Sequence, residues 1–353
     1  MSRQRPVLVI PMGDPNGIGP EIVVKALSDP KVWQICRPLV TGDRAVLQDA
    51  ARFSGLDITC KIIRQPEDLS NAADNPGQIL LADSGHDALD TLQIGQVQAR
   101  AGQYAFDYIV EAVELIRRGI ADAMVTTPIN KESLRAADIP YIGHTEILAG
   151  LTRSDQPLTL FETNGLRVFF LTRHVSLRQA CDLVTRERVS NMIDASLSAL
   201  KALGLPDGIL AVAGLNPHSG EHGLFGDEEM TSIAPAIRDC QARGLSVTGP
   251  VGADSVFHLA HQGRYAAVLS LYHDQGHIAT KTLDFERTIA LTLGLPFLRT
   301  SVDHGTALDI AGQGIASAVS LKEALRLGAK YCQPYNVNHA ARRHGQAGAV
   351  SNG

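Results

Sequence analysis

Residues 7–27 read VLVIPMGDPNGIGPEIVVKAL. An apolar run, 7–12, enters a glycine-rich turn and leaves it into the apolar stretch 22–27, with Pro20 suited to a first helical position and Glu21 to a first turn. This is a strand, a loop and a helix, and the phrase returns along the chain. Residues 123–126 precede a helical stretch around Leu134, and 168–172 precede 177–184. Further strands are expected at 209–215, 266–272 and 297–300, and amphipathic helices at 106–118, 189–203 and 228–243. Short apolar runs alternating with longer helical segments predict an α/β fold.

A chain of 353 residues is long enough for two domains with a cleft between them. With 44% hydrophobic and 20% charged residues, it has the composition of a folded globular protein, which excludes collagen-like and disordered classes. Lys plus Arg total 32 against 37 Asp plus Glu, a net charge of −5, so no broad basic field exists for nucleic acid or anionic membrane. An anion must be held locally. Cys36, Cys60, Cys181, Cys240 and Cys332 are odd in number and scattered, which predicts reduced thiols and a cytoplasmic setting. The apolar run before Gly13 is too short for a signal peptide or a membrane span. Polar stretches at 64–77 and 153–157 read as surface loops, and 334–353 as a mobile tail.

Three apolar runs lead into histidines: 167–172 into His174, 209–215 into His218, and 266–272 into His273. Ligands in open α/β sheets collect beyond the carboxyl ends of strands, so the three imidazoles could converge on one divalent metal. They could equally bond backbone groups or act as acids and bases. His218 lies in GLNPHSGEHGLFGDEE, where Pro217 and Gly220 fix a turn, and His273 lies in YHDQGH beside Asp274. Asp254, in GPVGADSVF, is a further acid in a glycine-bounded loop.

Other segments are suited to anions. In IGHTEILAG, Thr145 stands where a helix cap belongs, and the N–H groups of a helix start attract phosphate or carboxylate, with His144 as an added donor. Lys281 and Arg299 flank the apolar TIALTLGLPFL region, where either a bound anion or an internal salt bridge would explain them. The loop 13–22 spaces its glycines at 13, 17 and 19, which is not a dinucleotide fingerprint, so a tight turn is its simplest reading. In TSVDHGTALDIAGQGIAS, residues 300–317, Gly305, Gly312 and Gly314 permit close backbone approach, while Asp309 offers two oxygens to a ribose diol and repels a 2′-phosphate.

Taken together, GDPNGIGPEI, TTPINKESL, GHTE, GLNPHSGEHGLFGDEE, YHDQGH and RTSVDHGTALDIAG resemble the 4-hydroxythreonine-4-phosphate dehydrogenase family, over about residues 7 to 330. Two loops also resemble the isopropylmalate and isocitrate dehydrogenases. The resemblance implies a two-domain α/β/α subunit of isocitrate/isopropylmalate dehydrogenase type, with 1–130 plus 305–333 on the cofactor side and 131–304 carrying metal, substrate and dimer contacts. It implies a homodimer whose site lies in the interdomain cleft and is completed by the partner chain. By motif, His174, His218 and His273 are the expected ligands of a divalent metal (Zn, Co, Mg, Mn or Ni), and His144, Thr145, Lys281 and Arg299 the substrate and phosphate contacts. Asp254, Asp274 and Lys281 are candidates for proton handling. Gly305, Thr306, Ala307 and Asp309 are expected to bind the adenosine of NAD, in preference to NADP.

One position departs from the family pattern. Ala290, in FERTIALTLGLP, stands where the family carries an asparagine among its substrate contacts. A lost hydrogen bond to a charged group is worth roughly 1.5–3 kcal/mol, which points to a sibling substrate. Candidates are a 4-phosphorylated threonate or erythronate, or a dicarboxylated cis-dihydrodiol such as that of terephthalate, although the dihydrodiol branch tends to lose the GHTE motif that is intact here. The expected reaction is oxidation of a β-hydroxy acid to a β-keto acid, followed by decarboxylation. A phosphate acyltransferase and a non-catalytic metabolite-binding protein are the alternatives from other classes.

Overall fold

The computed structural model describes residues 5–350 except 88 and 156, with side chains described through 338. Among the described residues twelve strands form: β1 (Val7–Pro11), β2 (Arg37–Gly42), β3 (Thr59–Ile62), β4 (Gln78–Asp83), β5 (Ala123–Thr126), β6 (Leu158–Thr163), β7 (Leu166–Phe170), β8 (Leu210–Ala213), β9 (Val247–Val251), β10 (Ala267–Ser270), β11 (Ile289–Leu293) and β12 (Arg299–Val302). Helices separate most of them, and the α/β class is as expected. The chain divides into two compact units, the first taking in Met1–Pro157 and Gly294–Arg343, the second built on Leu158–Leu293.

In the first unit the strand order is β3-β4-β2-β1-β5-β12, and every pairing is parallel. Strands covered on both faces read as unbroken apolar runs, and Leu8, Val9 and Ile10 are fully buried. The order reverses between β1 and β5, which makes the loops after these two strands the topological switch point of the sheet. Segment 131–157, expected on the other domain, belongs to this unit. Its helix Lys131–Ala136 packs so closely on helix Ala99–Arg117 that a Cβ at Gly102 would meet the Ser133 carbonyl oxygen at 2.1 Å. Segment 294–304 joins it as well, because β12 pairs with β5 from Arg299↔Met124 to Ser301↔Thr126.

The second unit has the order β11-β6-β7-β10-β8-β9, antiparallel from β11 to β7 and parallel from β7 to β9. Its core gathers Phe161, Val168, Phe170, Ala211, Val256 and Val268. Stretch 64–77, read as a loop, contains the short helix Pro66–Asn71; 153–157 connects helix His144–Thr152 to β6, and its residue 156 lies outside the described residues. Helix Val319–Val350 runs through most of the segment read as a mobile tail. The Tyr335 hydroxyl accepts from Gly294 N and donates to Leu295 O, and Asn336 Nδ2 donates to Asp122 O, so the chain is anchored at least to residue 336. Residues 351–353 of that segment lie outside the described residues.

Candidate active site

Because β7, β10 and β8 are neighbours and parallel, their carboxyl ends open on one side of the second unit's sheet. Three hydrogen bonds join those ends. Thr172 Oγ1 donates to Leu271 O at 2.8 Å, Leu271 N to Gln275 Oε1 at 2.7 Å, and Gln275 Nε2 to Gly214 O at 2.8 Å. His174 and His273 lie two residues after Thr172 and Leu271, and His218 four residues after Gly214. The rings of His174 and His273 have centroids 6.1 Å apart. His273 Nδ1 donates to Asp274 Oδ1 at 2.7 Å, the bond that leaves Nε2 as the ligand nitrogen in metal-binding histidines. One turn on, His277 lies 4.2 Å from the His273 ring and stacks on Phe170, which backs the site with a rigid aromatic wall.

His218 is presented differently. After β8 the backbone winds left-handed through five residues, with φ of 51°, 53°, 82°, 42° and 56° at His218, Ser219, Gly220, Glu221 and His222. Gly220 alone carries no Cβ penalty. Each of the other four costs roughly 1–2 kcal/mol in this conformation, so the turn persists only because neighbouring groups fix it.

Three imidazoles at the ends of adjacent strands suit a divalent transition metal in donor type. Two rings bonded to one ion at roughly 2.1 Å would have centroids about 5 Å apart, against 6.1 Å for His174 and His273. Among the described residues, no three His, Cys, Asp or Glu side chains already stand at ligating distance. Of the candidate proton carriers, Asp274 is the partner of His273. Asp254 is exposed in the first turn of helix Ala253–His261, and Lys281 lies on helix His273–Leu283 with Nζ 5.1 Å from the Phe285 ring centroid. Ala290 stands opposite Phe161 on β11 and packs against the unit's core.

The first unit holds the anion-binding candidates His144, Thr145 and Arg299, and the second unit holds Lys281. Arg299, 6% exposed, donates to Thr126 Oγ1 at 3.0 and 2.8 Å and to Ser301 Oγ at 2.8 Å. Burial pulls its pKa down to about 10, against the opposing pull of Glu146. His144 reaches the surface in part, but its Nε2 is buried without a hydrogen-bond partner. Burial, reinforced by the Arg299 cation, holds its pKa well below the ordinary 6.5, so the ring is neutral. Helix His144–Thr152 starts two residues earlier than expected: Gly143, in extended conformation, is the cap, and Thr145 sits inside the first turn. First-turn N–H groups, an imidazole nitrogen and a buried guanidinium are groups that can act on an anion.

The dinucleotide candidates adjoin the switch point of the same unit. Asp14 N donates to Pro128 O, Ile18 N to Thr306 O, and Asn130 Nδ2 to Thr306 Oγ1, which ties the loops after β1, β5 and β12 together. Gly13, at φ 81°, is required there, because a Cβ would meet Pro128 O at 2.4 Å. Gly305 is exposed with open space where its Cβ would stand, Ala307 adopts φ 42°, and Asp309 is exposed. A hollow lined by Pro15, Gly17, Phe53, Leu89, Leu92 and Ile94 lies beside this loop, with Ile94 against Gly312. An open backbone, an exposed carboxylate and a hollow with Asp49 among its lining residues are features that an adenosine could use. Glu21 and Lys25 hold the far end of the loop, Lys25 Nζ donating to Glu21 Oε1 at 2.7 Å, Gly314 O at 2.9 Å and Ala316 O at 2.8 Å.

The structure brings His144 together with Arg299, His174 with His273, and Thr306 with the first loop. Sequence reasoning missed Thr126 and Ser301, which bond Arg299, and Gln275 and Glu229, which bond the backbone leading into His273 and His218. Gln275 and Glu229 lie inside quoted motifs, but their neighbours, Asp274 and Gly276 for the one and Glu228 and Met230 for the other, give no signal that sets them apart.

The family described as pyridoxal phosphate biosynthetic protein PdxA matches residues 34–328. A Clostridium botulinum protein bearing the provisional name D-threonate 4-phosphate dehydrogenase is 58% identical over 331 residues, 94% of this chain and 98% of the relative. Among solved structures, a 4-hydroxythreonine-4-phosphate dehydrogenase from Klebsiella pneumoniae superposes with a TM-score of 0.85 at 38% identity, covering 94% of this chain and all of the other. A terephthalate 1,2-cis-dihydrodiol dehydrogenase from Burkholderia xenovorans reaches 0.63 at 28% identity, covering 93% and 98%.

Proposed function

The chain belongs to the PdxA family of dehydrogenases, and from that premise we propose that it oxidises a 4-phosphorylated β-hydroxy acid of the threonate or erythronate type to a β-keto acid that then loses carbon dioxide. The observation that carries the reading is the buried Arg299 guanidinium beside the neutral His144 ring at a helix start. His144, Thr145 and Arg299 take the phosphate. Arg299 supplies charge, the helix start supplies N–H donors, and the buried imidazole nitrogen gains the partner it lacks.

A bound divalent cation would supply polarisation of the reacting oxygens, and a bound NAD would supply the hydride acceptor. His174, His218 and His273 are the residues assigned to hold the cation, with Asp274 orienting His273 and the Thr172–Leu271–Gln275–Gly214 bonds spacing the three. Gly305, Thr306, Ala307 and Asp309 are assigned the adenosine, and the exposed Asp309 carboxylate selects against a 2′-phosphate. Lys281, with Asp254 and Asp274, is assigned proton transfer. A homodimer of isocitrate dehydrogenase-like subunits, with the partner chain completing the site, is part of the proposal; Ile278 and Phe285, 67% and 66% exposed beside Lys281, support it by offering apolar surface to a second copy. No helix among the described residues is long and apolar enough to cross a membrane.

The absence of an amide at Ala290, which faces Phe161, favours a phosphorylated sugar acid over 4-hydroxythreonine 4-phosphate. NADH formation from D-threonate 4-phosphate, D-erythronate 4-phosphate, 4-hydroxythreonine 4-phosphate and a cis-dihydrodiol dicarboxylate, with divalent metal, tests the assignment. A phosphorylated acid is expected to lead, and Arg299→Met to cost roughly a hundred-fold or more in kcat/KM through loss of a charge-assisted contact. Turnover confined to the dihydrodiol, or no turnover with any of the four, would contradict it.

A further inference from the structure

We propose that Glu229 is the positioning residue for His218: its buried carboxylate fixes the entrance and the middle of the left-handed turn that presents the imidazole. The functional consequence rests on the reading of His218 as a metal ligand; the structural claim does not.

A left-handed run of five residues is not held by local preference, since four of the five carry a Cβ. Glu229, 3% exposed, supplies what the local sequence lacks. Its Oε1 accepts from Leu215 N at 2.8 Å and from Asn216 N at 2.7 Å, the last two residues before Pro217. Its Oε2 accepts from Asn216 Nδ2 at 2.9 Å, and Glu228 Oε2 accepts from the same amide nitrogen at 2.7 Å. The carboxylate also packs on the turn itself: a Cβ at Gly220 would come within 2.9 Å of Glu229 Oε2. One side chain thus grips the chain where it leaves β8 and abuts the centre of the reversed winding, two residues beyond His218.

Glu229 is itself anchored. It opens the wide π-type turn Glu229–Ile233, in which Ala234 N donates to Glu229 O, and this turn leads directly into helix Ala234–Ala242. Such turns inside helices aim side chains that a regular helix would point elsewhere. The carboxylate touches no substrate candidate, so its effect on chemistry is through the direction of the His218 ring. Outer-shell partners of this kind typically change metal affinity 10- to 100-fold when removed, roughly the effect expected here.

Backbone hydrogen exchange over residues 214–223 and titration with Co²⁺ alone, on the full chain, test the assignment. Glu229→Ala should accelerate exchange of the Leu215 and Asn216 amides roughly a hundred-fold, because both lose a charged acceptor. It should raise the Co²⁺ Kd about ten-fold or more, with exchange in helix Arg186–Ala202 unchanged as the control for global folding. Glu229→Gln keeps one acceptor oxygen but turns an amide donor toward Asn216 Nδ2, so its exchange should fall between wild type and Glu229→Ala. If Glu229→Ala fails to fold, this variant decides. Exchange over 214–223 equal to wild type in the folded variants overturns the proposal. A wild-type chain that binds no Co²⁺, or a His218→Ala chain that binds it with unchanged affinity, removes the metal reading of His218 while the exchange data still judge Glu229.

Discussion

Replacing Lys25 with methionine removes the cation from a carboxylate that has no access to solvent. Glu21 is fully buried, and Lys25 Nζ is 2.7 Å from its Oε1 while also donating to the carbonyls of Gly314 and Ala316. The same Glu21 oxygen accepts from Ala316 N at 2.7 Å, so four residues share one knot between the first helix and the end of the 303–316 loop. Breaking a buried pair by deleting one partner costs about 3–5 kcal/mol; the Lys25 side chain is 22% exposed, which puts the expectation near the lower figure. Glu21→Gln keeps an acceptor for Ala316 N and leaves Lys25 its two carbonyls, for a cost of about 1.5 kcal/mol. The double variant holds no unpaired charge and should cost about the same 1.5 kcal/mol, so the cycle yields a coupling of about 3 kcal/mol.

The single tryptophan of the chain, Trp33, is 3% exposed in the first unit and donates through Nε1 to Leu27 O, so its fluorescence follows unfolding of that unit. Denaturant titrations of the four chains give the cycle directly. A Lys25→Met cost below about 1 kcal/mol, or additivity of the two substitutions within about 0.5 kcal/mol, would refute the reasoning.

His144 gives a pH prediction whose sign is fixed by its burial. Its folded pKa lies well below 6.5, so the unfolded chain takes up a proton first as pH falls. The stability it contributes is complete above about pH 6.5 and is lost below, at up to about 1.4 kcal/mol per pH unit; Trp33 unfolding curves of wild type and His144→Gln should therefore converge between neutral and mildly acidic pH, and parallel curves would contradict this. Ala290→Asn tests the specificity role that the family resemblance gives this position: kcat/KM should shift toward 4-hydroxythreonine 4-phosphate by about ten-fold or more relative to D-threonate 4-phosphate; an unchanged ratio removes Ala290 from the determinants of specificity.

The strands legible in the sequence were those buried on both faces. VLVIP and AMVT are continuous apolar runs whose boundaries the structure reproduces within a residue or two. Strands with mixed composition were missed. β3 is TCKI at a sheet edge, alternately exposed and half-buried, and β2 opens with Arg37 and Pro38. Residues 131–157 carry site motifs yet pack in the first unit, because motif chemistry does not determine packing. Gly102, which admits helix Lys131–Ala136 to the first unit, carried no such label. At the candidate site, motif position identified the three histidines and the Arg299 region. What it could not show was the support beneath them, since Gln275 and Glu229 act through backbone groups that only the folded chain brings near.

The parallel pairing of β12 with β5 sets an order for biosynthesis. Residues 299–302 emerge from the ribosome only after the whole of 158–293, so a nascent chain carries β5 with one edge open until the second unit has been made. The inserted unit has all six of its strands first and can close while the outer one waits. A chain stalled at residue 293 therefore presents an unsatisfied ladder of N–H and carbonyl groups along β5, the template at which two unfinished molecules would pair with each other.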